Sequence, residues 1–162
     1  MISANTEIRL RPAAPDDTPF LYALYCSVRT PEFAPLNLPP DQLEALLRMQ
    51  YTARTGSYEA QFPDSDNDIV LSGDTPVGQL WVNRTGTEHL VVDISLLPEY
   101  RSSGIGSRLM RRLIEEADRR GVPLRCSVAT NNPGSLRFHQ RLGFQITSQD
   151  WMYYQMERSS GG

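Results

Sequence analysis

An apolar segment, His89 to Leu97, runs through a short turn into a long amphipathic segment, Gly104 to Arg120. The first segment is typical of a β-strand, and the second repeats apolar residues at helical spacing. Pro98 ends the strand, and two serines and two glycines lie in the turn. A strand, turn and helix in this order present unpaired backbone N–H groups at the positive end of a helix dipole, so we expect the turn to bind an anion such as phosphate.

Composition sets the broad class of the protein. The 162 residues are 40% hydrophobic and 22% charged, which fits a single globular domain, 1–162. A net charge of -3 gives no general attraction for nucleic acid, and no apolar run reaches the ~18 residues of a membrane span. The first residues show neither the basic nor the apolar region of a signal peptide, so we expect a cytoplasmic protein.

The cysteines and histidines are too dispersed to predict a metal site. Cys26 and Cys126 stand far apart, and the chain has two histidines, His89 and His139. No cluster has the spacing of metal ligands, so we expect no bound metal. The cysteines are expected to be small buried apolar residues rather than a disulfide or a nucleophile.

The first half of the chain predicts one strand and two helices. Alternating charged and apolar residues predict a strand over Glu7 to Arg11. Asp16 or Asp17 is placed to cap a helix that continues through Val28, and Asp41 is placed to cap a second one. Pro31 to Pro40 is expected to break the helical pattern, and 58–67 to form a loop.

The second half predicts a hairpin followed by alternating strands and helices. The further strands are expected at Asp68 to Ser72, Pro76 to Asn83, His89 to Leu97, Leu124 to Ala129, Phe144 to Thr147 and Trp151 to Met156, and the further helices at 104–120 and Pro133 to Leu142. The order β-α-α-β-β-β-α-β-α-β-β mixes hairpins with crossover helices. It therefore favours an α+β fold, one mostly antiparallel twisted sheet flanked by helices, over a doubly wound parallel sheet.

Two familiar phosphate motifs do not fit the turn. Gly104 and Gly106 match the first two glycines of a dinucleotide fingerprint, but Leu109 stands where the third glycine is required. No Gly-Lys-Ser or Gly-Lys-Thr follows, which excludes a Walker loop. A turn that only starts a helix and binds nothing remains open at this point.

Two motifs resemble those of the Gcn5-related N-acetyltransferase (GNAT) family. Arg101-x-x-Gly104-x-Gly106 is similar to the acyl-CoA motif of that family. The later run Asn132-x-x-Ser135-x-x-Phe138-His139-x-x-Leu142-Gly143-Phe144 resembles a second family motif, Asn-x-x-Ala-x-x-x-Tyr-x-x-x-Gly-Phe. Their order and spacing agree with the family, as does the predicted order of elements. The resemblance implies the GNAT fold, acetyl-CoA as co-substrate and acetyl transfer to an amine by direct attack in a ternary complex.

The resemblance also implies where acetyl-CoA binds. The pantetheine arm is expected along the strand before the turn, and the pyrophosphate on the turn itself. The implied cofactor-binding residues are Ile94, Ser95, Leu96, Arg101, Ser102, Ser103, Gly104, Ile105, Gly106, Ser107, Asn132, Ser135 and Phe138. Ser102 stands where many members have glycine, which we expect the turn to tolerate at a negative φ.

Acyl transfer needs a base for the amine and an acid for the leaving thiolate. His139 replaces the tyrosine that the family is thought to use as acid, so it either protonates the thiolate or only packs on its helix. Tyr153 and Tyr154 are the alternative donors. Asp93 and His89 are the candidate bases, on one face of their strand by alternation, and water is the alternative to both.

The acceptor is expected to be a primary amine of a small molecule or a peptide. Candidate residues for its site are Glu59, Asp64, Asp66 and Asp68, which could attract a cation, and Tyr58, Phe62 and Trp151, which could pack on it. The same charges could simply be solvated. A monomer and a homodimer are both open, as are two other functions: a non-catalytic acyl-CoA sensor, suggested by His139, and an interaction domain without a ligand.

Overall fold

The computed structural model describes residues 6–161. Within them, seven strands form: β1 (Ile8–Pro12), β2 (Asp66–Ser72), β3 (Thr75–Arg84), β4 (His89–Leu96), β5 (Leu124–Ala129), β6 (Gln145–Gln149) and β7 (Tyr153–Arg158). The α-helices are α1 (Thr18–Phe33), α2 (Pro40–Gln61), α3 (Ile105–Arg120) and α4 (Pro133–Arg141). The first five residues, on which the expectation about a signal peptide rests, and residue 162 lie outside the described part.

The order of strands and helices along the chain is the predicted one. Backbone hydrogen bonds join the strands in the order β1-β2-β3-β4-β5-β7-β6. The β4–β5 pair is parallel, whereas β1–β2, β5–β7 and β6–β7 are antiparallel. The predicted α+β class, a mostly antiparallel sheet with helices, is therefore confirmed.

The chain divides into two compact units that are interleaved in sequence. Among the described residues, the first comprises 6–81 together with Asp93–Ile105. In it, β1 pairs with β2 from Ile8 opposite Ser72 to Pro12 opposite Asp68. Three buried side chains form a small core in this unit: Leu21, Ile69 and Leu71. The partly buried Phe20 and Tyr51 pack against them.

The second unit comprises Val82–Val92 and, within the described part of the chain, 106–161. The start of β4 pairs with β5 from His89 opposite Leu124, and β5 pairs in turn with β7. Helix α3 buries its apolar stripe, as its spacing predicts: Leu109, Met110, Leu113, Ile114 and Ala117 are all buried. Strand β4 thus contributes its first half to this unit and its second half to the first one.

Both predicted helix ends in the first half were too early. Helix α1 continues through Pro31 to Phe33. Pro31 has no N–H to donate to the carbonyl four residues earlier, so the last turn of α1 has one backbone hydrogen bond fewer than a regular helix. Helix α2 extends to Gln61, so Tyr58 and Glu59 are helical rather than part of a loop.

Asp17 occupies the N-cap position of α1, as predicted, but its side chain makes no capping hydrogen bond to that helix. Its carboxylate accepts two hydrogen bonds of 2.8 Å from Arg11 and a third of 2.8 Å from the backbone N–H of Ala14. The hydrogen bonds from Arg11, followed by that from Ala14, lower the pKa of Asp17 to about 2. Asp17 therefore ties the end of β1 to the start of α1.

Candidate functional site

The predicted anion turn begins where β4 ends. The N–H of Leu97 donates to the carbonyl of Val77 at 2.8 Å, and Pro98–Tyr100 then form one turn of 3-10 helix. Two residues of the turn that follows have left-handed backbone conformations, Ser102 with φ 61° and Gly104 with φ 87°. Helix α3 starts immediately afterwards at Ile105.

The conformation of Ser102 corrects the expectation that it would keep a negative φ. Its left-handed backbone costs a residue with a Cβ roughly 1–2 kcal/mol. The turn needs this geometry at two positions to reverse the chain within a few residues, and glycine occupies only Gly104. Ser102 is consequently a strained residue inside the predicted anion site.

Side chains of the turn hold it against the end of β4. The Nε of Arg101 donates to the carbonyl of Leu96 at 3.0 Å, and the hydroxyl of Ser103 donates to the carbonyl of Tyr100. A guanidinium has five N–H donors, so Arg101 keeps donors for a phosphate. The first N–H groups of α3 have no partner within the helix, which gives the turn the donors of an anion site.

The second half of β4 carries Asp93 next to an arginine that the sequence interpretation missed. Nη2 of Arg54, on α2, lies 2.7 Å from Oδ2 of Asp93. The hydroxyl of Ser95 donates to the same carboxylate at 3.1 Å. The Arg54 side chain is only 24% exposed, so this ion pair is largely sheltered from water. No local pattern around Arg54 indicated the pair.

Aromatic rings enclose the Arg54 guanidinium. Its Cζ lies 5.2 Å from the ring centroids of both Tyr25 and Tyr58, which is within the range of cation–π attraction. Tyr58 also packs edge-on against Trp81, with centroids 5.4 Å apart. Tyr58 was predicted to contact an acceptor from a loop, and the structure instead places it on α2 as part of this cluster.

The second motif begins at the N-terminus of α4. Oδ1 of Asn132 accepts a hydrogen bond of 3.1 Å from the backbone N–H of Ser135, so Asn132 is the N-cap of this helix. Gly106 lies close by, since a Cβ on it would be 3.7 Å from Cζ of Phe138. The structure therefore places the second glycine of the first motif near the second motif. Whether these residues bind a cofactor stays a prediction.

His139 lies inside the second unit with only 5% of its surface exposed. Its Nδ1 is 2.8 Å from the carbonyl oxygen of Ser135, which can only accept, so Nδ1 carries the proton and donates. Its ring packs edge-on against Phe138 and Phe144. Burial lowers the pKa of His139, which favours the neutral ring with an unprotonated Nε2.

The other candidate acids and bases have different surroundings. His89 is fully buried in the second unit, 3.6 Å from Glu116 of α3, and burial lowers its pKa. Asp93, in the first unit, contacts α2 instead, so the two candidate bases do not share a partner. Tyr153 is 37% exposed at the start of β7.

Of the residues proposed for the acceptor, Trp151 is exposed between β6 and β7, and Glu59 lies near the end of α2.

The thiols and the acidic side chains give no sign of a metal centre. In the described residues, 6–161, no group of three or more His, Cys, Asp or Glu side chains could hold a metal ion. Cys126 is buried, and burial raises its pKa to about 12, so its thiol is protonated at neutral pH. In the same part of the chain no helix is long and apolar enough to cross a bilayer.

A turn of this kind between a strand and a helix, in a mixed sheet with this order of elements, defines an acyltransferase-like fold. The family model described as "Acetyltransferase (GNAT) family" matches residues 34–144, and the chain belongs to that family.

Relatives of known name are similar to part of the chain. The N-alpha-acetyltransferase RimI of Mycobacterium tuberculosis is 35% identical over 89 residues, which cover 52% of this chain and 55% of RimI. The L-amino acid N-acyltransferase MnaT of Escherichia coli is 32% identical over 87 residues, 52% of this chain and 50% of MnaT. The chain thus spans about half the length of the curated relatives it matches.

A solved structure shows that the likeness of fold extends over nearly the whole chain. The PaiA N-acetyltransferase of Thermoplasma acidophilum, crystallised in complex with coenzyme A, superposes with a TM-score of 0.71. The match covers 94% of this chain and 99% of that protein at 18% identity.

Proposed function

We propose that this protein transfers an acetyl group from acetyl-CoA to a primary amine of a small molecule or a peptide. The observation that carries the proposal is the turn at 97–106, where the backbone of Ser102 and Gly104 is left-handed and α3 begins directly afterwards. Oriented N–H groups at a helix N-terminus are suited to a pyrophosphate. The solved relative PaiA, which contains coenzyme A, supports the same choice of ligand.

Each part of acetyl-CoA has a proposed set of residues. The backbone of Ile94, Ser95 and Leu96 would pair with the pantetheine arm, and a backbone N–H of this segment would stabilise the oxyanion. The pyrophosphate would lie on 102–107, with the Arg101 guanidinium nearby. Asn132 and Ser135 shape the start of α4, and a Cβ on Gly106 would lie 3.7 Å from Cζ of Phe138, so we propose that these three residues contact the part of acetyl-CoA that lies on Gly106.

For the proton that the leaving thiolate requires, the surroundings of the candidates favour Tyr153 over His139. A neutral His139 has its one N–H committed to Ser135, and its other nitrogen can only accept a proton. Tyr153 has a more exposed side chain and carries a hydroxyl that can donate. The kcat of Tyr153→Phe should therefore fall more than that of His139→Gln, provided both variants remain folded.

Asp93 remains the proposed base. Its carboxylate lies on the second half of β4, where Nη2 of Arg54 approaches it to 2.7 Å and the hydroxyl of Ser95 donates to it. The variant Asp93→Asn tests the role. Loss of kcat together with loss of the acidic limb of the pH profile would support a base, whereas an unchanged pH profile would assign Asp93 to positioning β4.

The proposed cofactor site is tested by Gly104→Glu, which puts a bulky negative side chain where the phosphates would lie. The matched control is Gly121→Glu, at the opposite end of α3, because Gly121 also has a left-handed φ, 67°, and open space around it. Both variants carry the same backbone strain. Acetyl-CoA affinity, measured by calorimetry, should fall about a hundredfold or more in Gly104→Glu alone. Equal affinities would refute the assignment.

A non-catalytic acyl-CoA sensor is the second candidate, and the buried, neutral His139 favours it. It predicts acetyl-CoA binding without release of CoA thiol. The deciding assay is thiol release in the presence of amines, amino acids, polyamines and peptides, and turnover with any of them rules the sensor out.

A further inference from the structure

A cavity of about 250 Å³ lies wholly within the first unit. The connection from β1 to α1 and the helices α1 and α2 supply its walls, and β2 and β3 contribute Asn67 and Gln79. None of the residues proposed to bind acetyl-CoA lines it. Its volume is just below the ~300–1,000 Å³ of drug-sized ligand pockets, so it suits a small molecule.

Gln79 gives the cavity a polar floor. It lies within a run of buried residues on β3, and only 7% of its surface is exposed. A buried amide is unfavourable unless its polar atoms form hydrogen bonds. Its Nε2 donates to Oδ1 of Asn67 at 2.8 Å. That bond leaves Oε1 of Gln79 and the amide N–H groups of Asn67 available to a molecule in the cavity.

One side of α2 supplies a negative charge to the cavity. Tyr51, Thr55 and Glu59 follow one another at intervals of four residues, so they form a stripe along the helix, and all three line the cavity. Among residues 6–161 no hydrogen bond or ion pair is found for the exposed Glu59 carboxylate. Glu59 is therefore ready to accept hydrogen bonds from a cation.

Arg54 supplies the positive charge. The Asp93 carboxylate and the rings of Tyr25 and Tyr58 hold its guanidinium, while the side chain still lines the cavity. The guanidinium has five N–H donors, more than these neighbours use. A ligand carboxylate could accept hydrogen bonds from the remaining donors of Arg54, and a ligand ammonium group could donate to Glu59, so a ligand that carries both groups would use both sides of the cavity.

We propose that this cavity binds a small zwitterion of amino-acid size. Its carboxylate would accept hydrogen bonds from Arg54, and its ammonium group would donate to Glu59 and to Oε1 of Gln79. The cavity is additional to the acetyl-CoA turn, and the proposal does not rest on acetyl transfer. Binding is therefore measured without acetyl-CoA, so that the two proposals stand or fall separately.

The ligand test uses molecules of different charge in which no analogue is larger than its zwitterion. Two zwitterions, L-valine and 4-aminobutanoate, cover two spacings between ammonium and carboxylate. L-valinamide and butylamine lack the carboxylate, and 3-methylbutanoate and butanoate lack the ammonium. In calorimetric titrations at least one zwitterion should bind about tenfold or more tightly than both of its analogues, as expected for a lost charge-assisted hydrogen bond. Equal binding within each set, or no saturable binding of either zwitterion at millimolar concentrations, would overturn the proposal.

A matched pair of variants tests whether the ligand binds in the cavity. Glu59→Gln removes the negative charge with little change of shape, and Glu44→Gln makes the same change on α2 outside the cavity lining. Both residues are exposed, so both variants should fold, which thermal unfolding checks. The zwitterion should bind about tenfold more weakly to Glu59→Gln and unchanged to Glu44→Gln. Binding to Glu59→Gln at the affinity of the unmodified protein would refute the site.

Discussion

Gly78 lies at a close approach of β3 to β4. A Cβ at this position would collide with the carbonyl oxygen of Ser95 and would lie 2.7 Å from Cδ2 of Leu96 and 3.3 Å from its Cα. The Leu96 side chain could rotate away, but the Ser95 carbonyl oxygen and the Leu96 Cα are backbone atoms of a paired strand and cannot. The variant Gly78→Ala must therefore displace part of β4.

The size of the effect follows from two opposing contributions. Overpacking a well-packed interior costs about 1–3 kcal/mol. Replacing glycine by alanine also restricts the unfolded chain, which stabilises the folded state by about 0.4–1 kcal/mol. We expect a net destabilisation of about 1–2 kcal/mol for Gly78→Ala.

Gly56 provides the matched control. It lies inside α2, and a Cβ there would have no atom within 4 Å. Alanine is the better helix former by roughly 0.5–1 kcal/mol, so Gly56→Ala should stabilise the protein. Equilibrium urea unfolding gives both free energies from the midpoint and slope. If Gly78→Ala were as stable as the unmodified protein, the close approach of β3 to β4 would be refuted.

Two further variants test the turn and the loop that begins α1. Ser102→Gly should be as stable as the unmodified protein or more stable by up to about 1 kcal/mol. The relief of the left-handed strain at this position outweighs the greater chain entropy that glycine gives the unfolded state. A loss of stability greater than about 1 kcal/mol would contradict the strain. Asp17→Asn should cost about 1–2 kcal/mol at pH 7, since Asp17 has a folded-state pKa of about 2 against an ordinary 3.8. This stability is present above pH 3.8 and lost as the pH falls through 2. Urea unfolding above and below this range should therefore show that the difference in unfolding free energy between Asp17→Asn and the unmodified protein disappears in acid.

The sequence pattern predicted a strand or helix well wherever the pattern arose within that one element. The Leu124–Ala129 strand has the predicted bounds, and the hairpin around Gly73 and helix α3 lie within a few residues of theirs. The bounds failed where packing overrode a local signal. Helix α1 accepts Pro31 in its last turn, and α2 continues through an aromatic and acidic stretch because Tyr58 packs against Trp81.

The candidate site was predicted only in part. Both motifs were visible in the sequence because a turn and a helix cap are local structures. The left-handed φ of Ser102 was not, since a serine gives no local sign of that strain. The environment of His139 was equally hidden, because neutrality follows from burial between Phe138 and Phe144.

The sequence by itself determined the order of strands and helices, the strand, turn and helix that point to a phosphate ligand, and the resemblance to the family. These features follow from periodicity and turn chemistry within short stretches of chain. Only the tertiary structure decided that Arg54 pairs with Asp93, that Gln79 and Glu59 line one cavity, and that Gly78 must remain without a side chain. Those contacts join residues far apart in the chain, and they depend on how the elements of the first unit pack rather than on any pattern within one element.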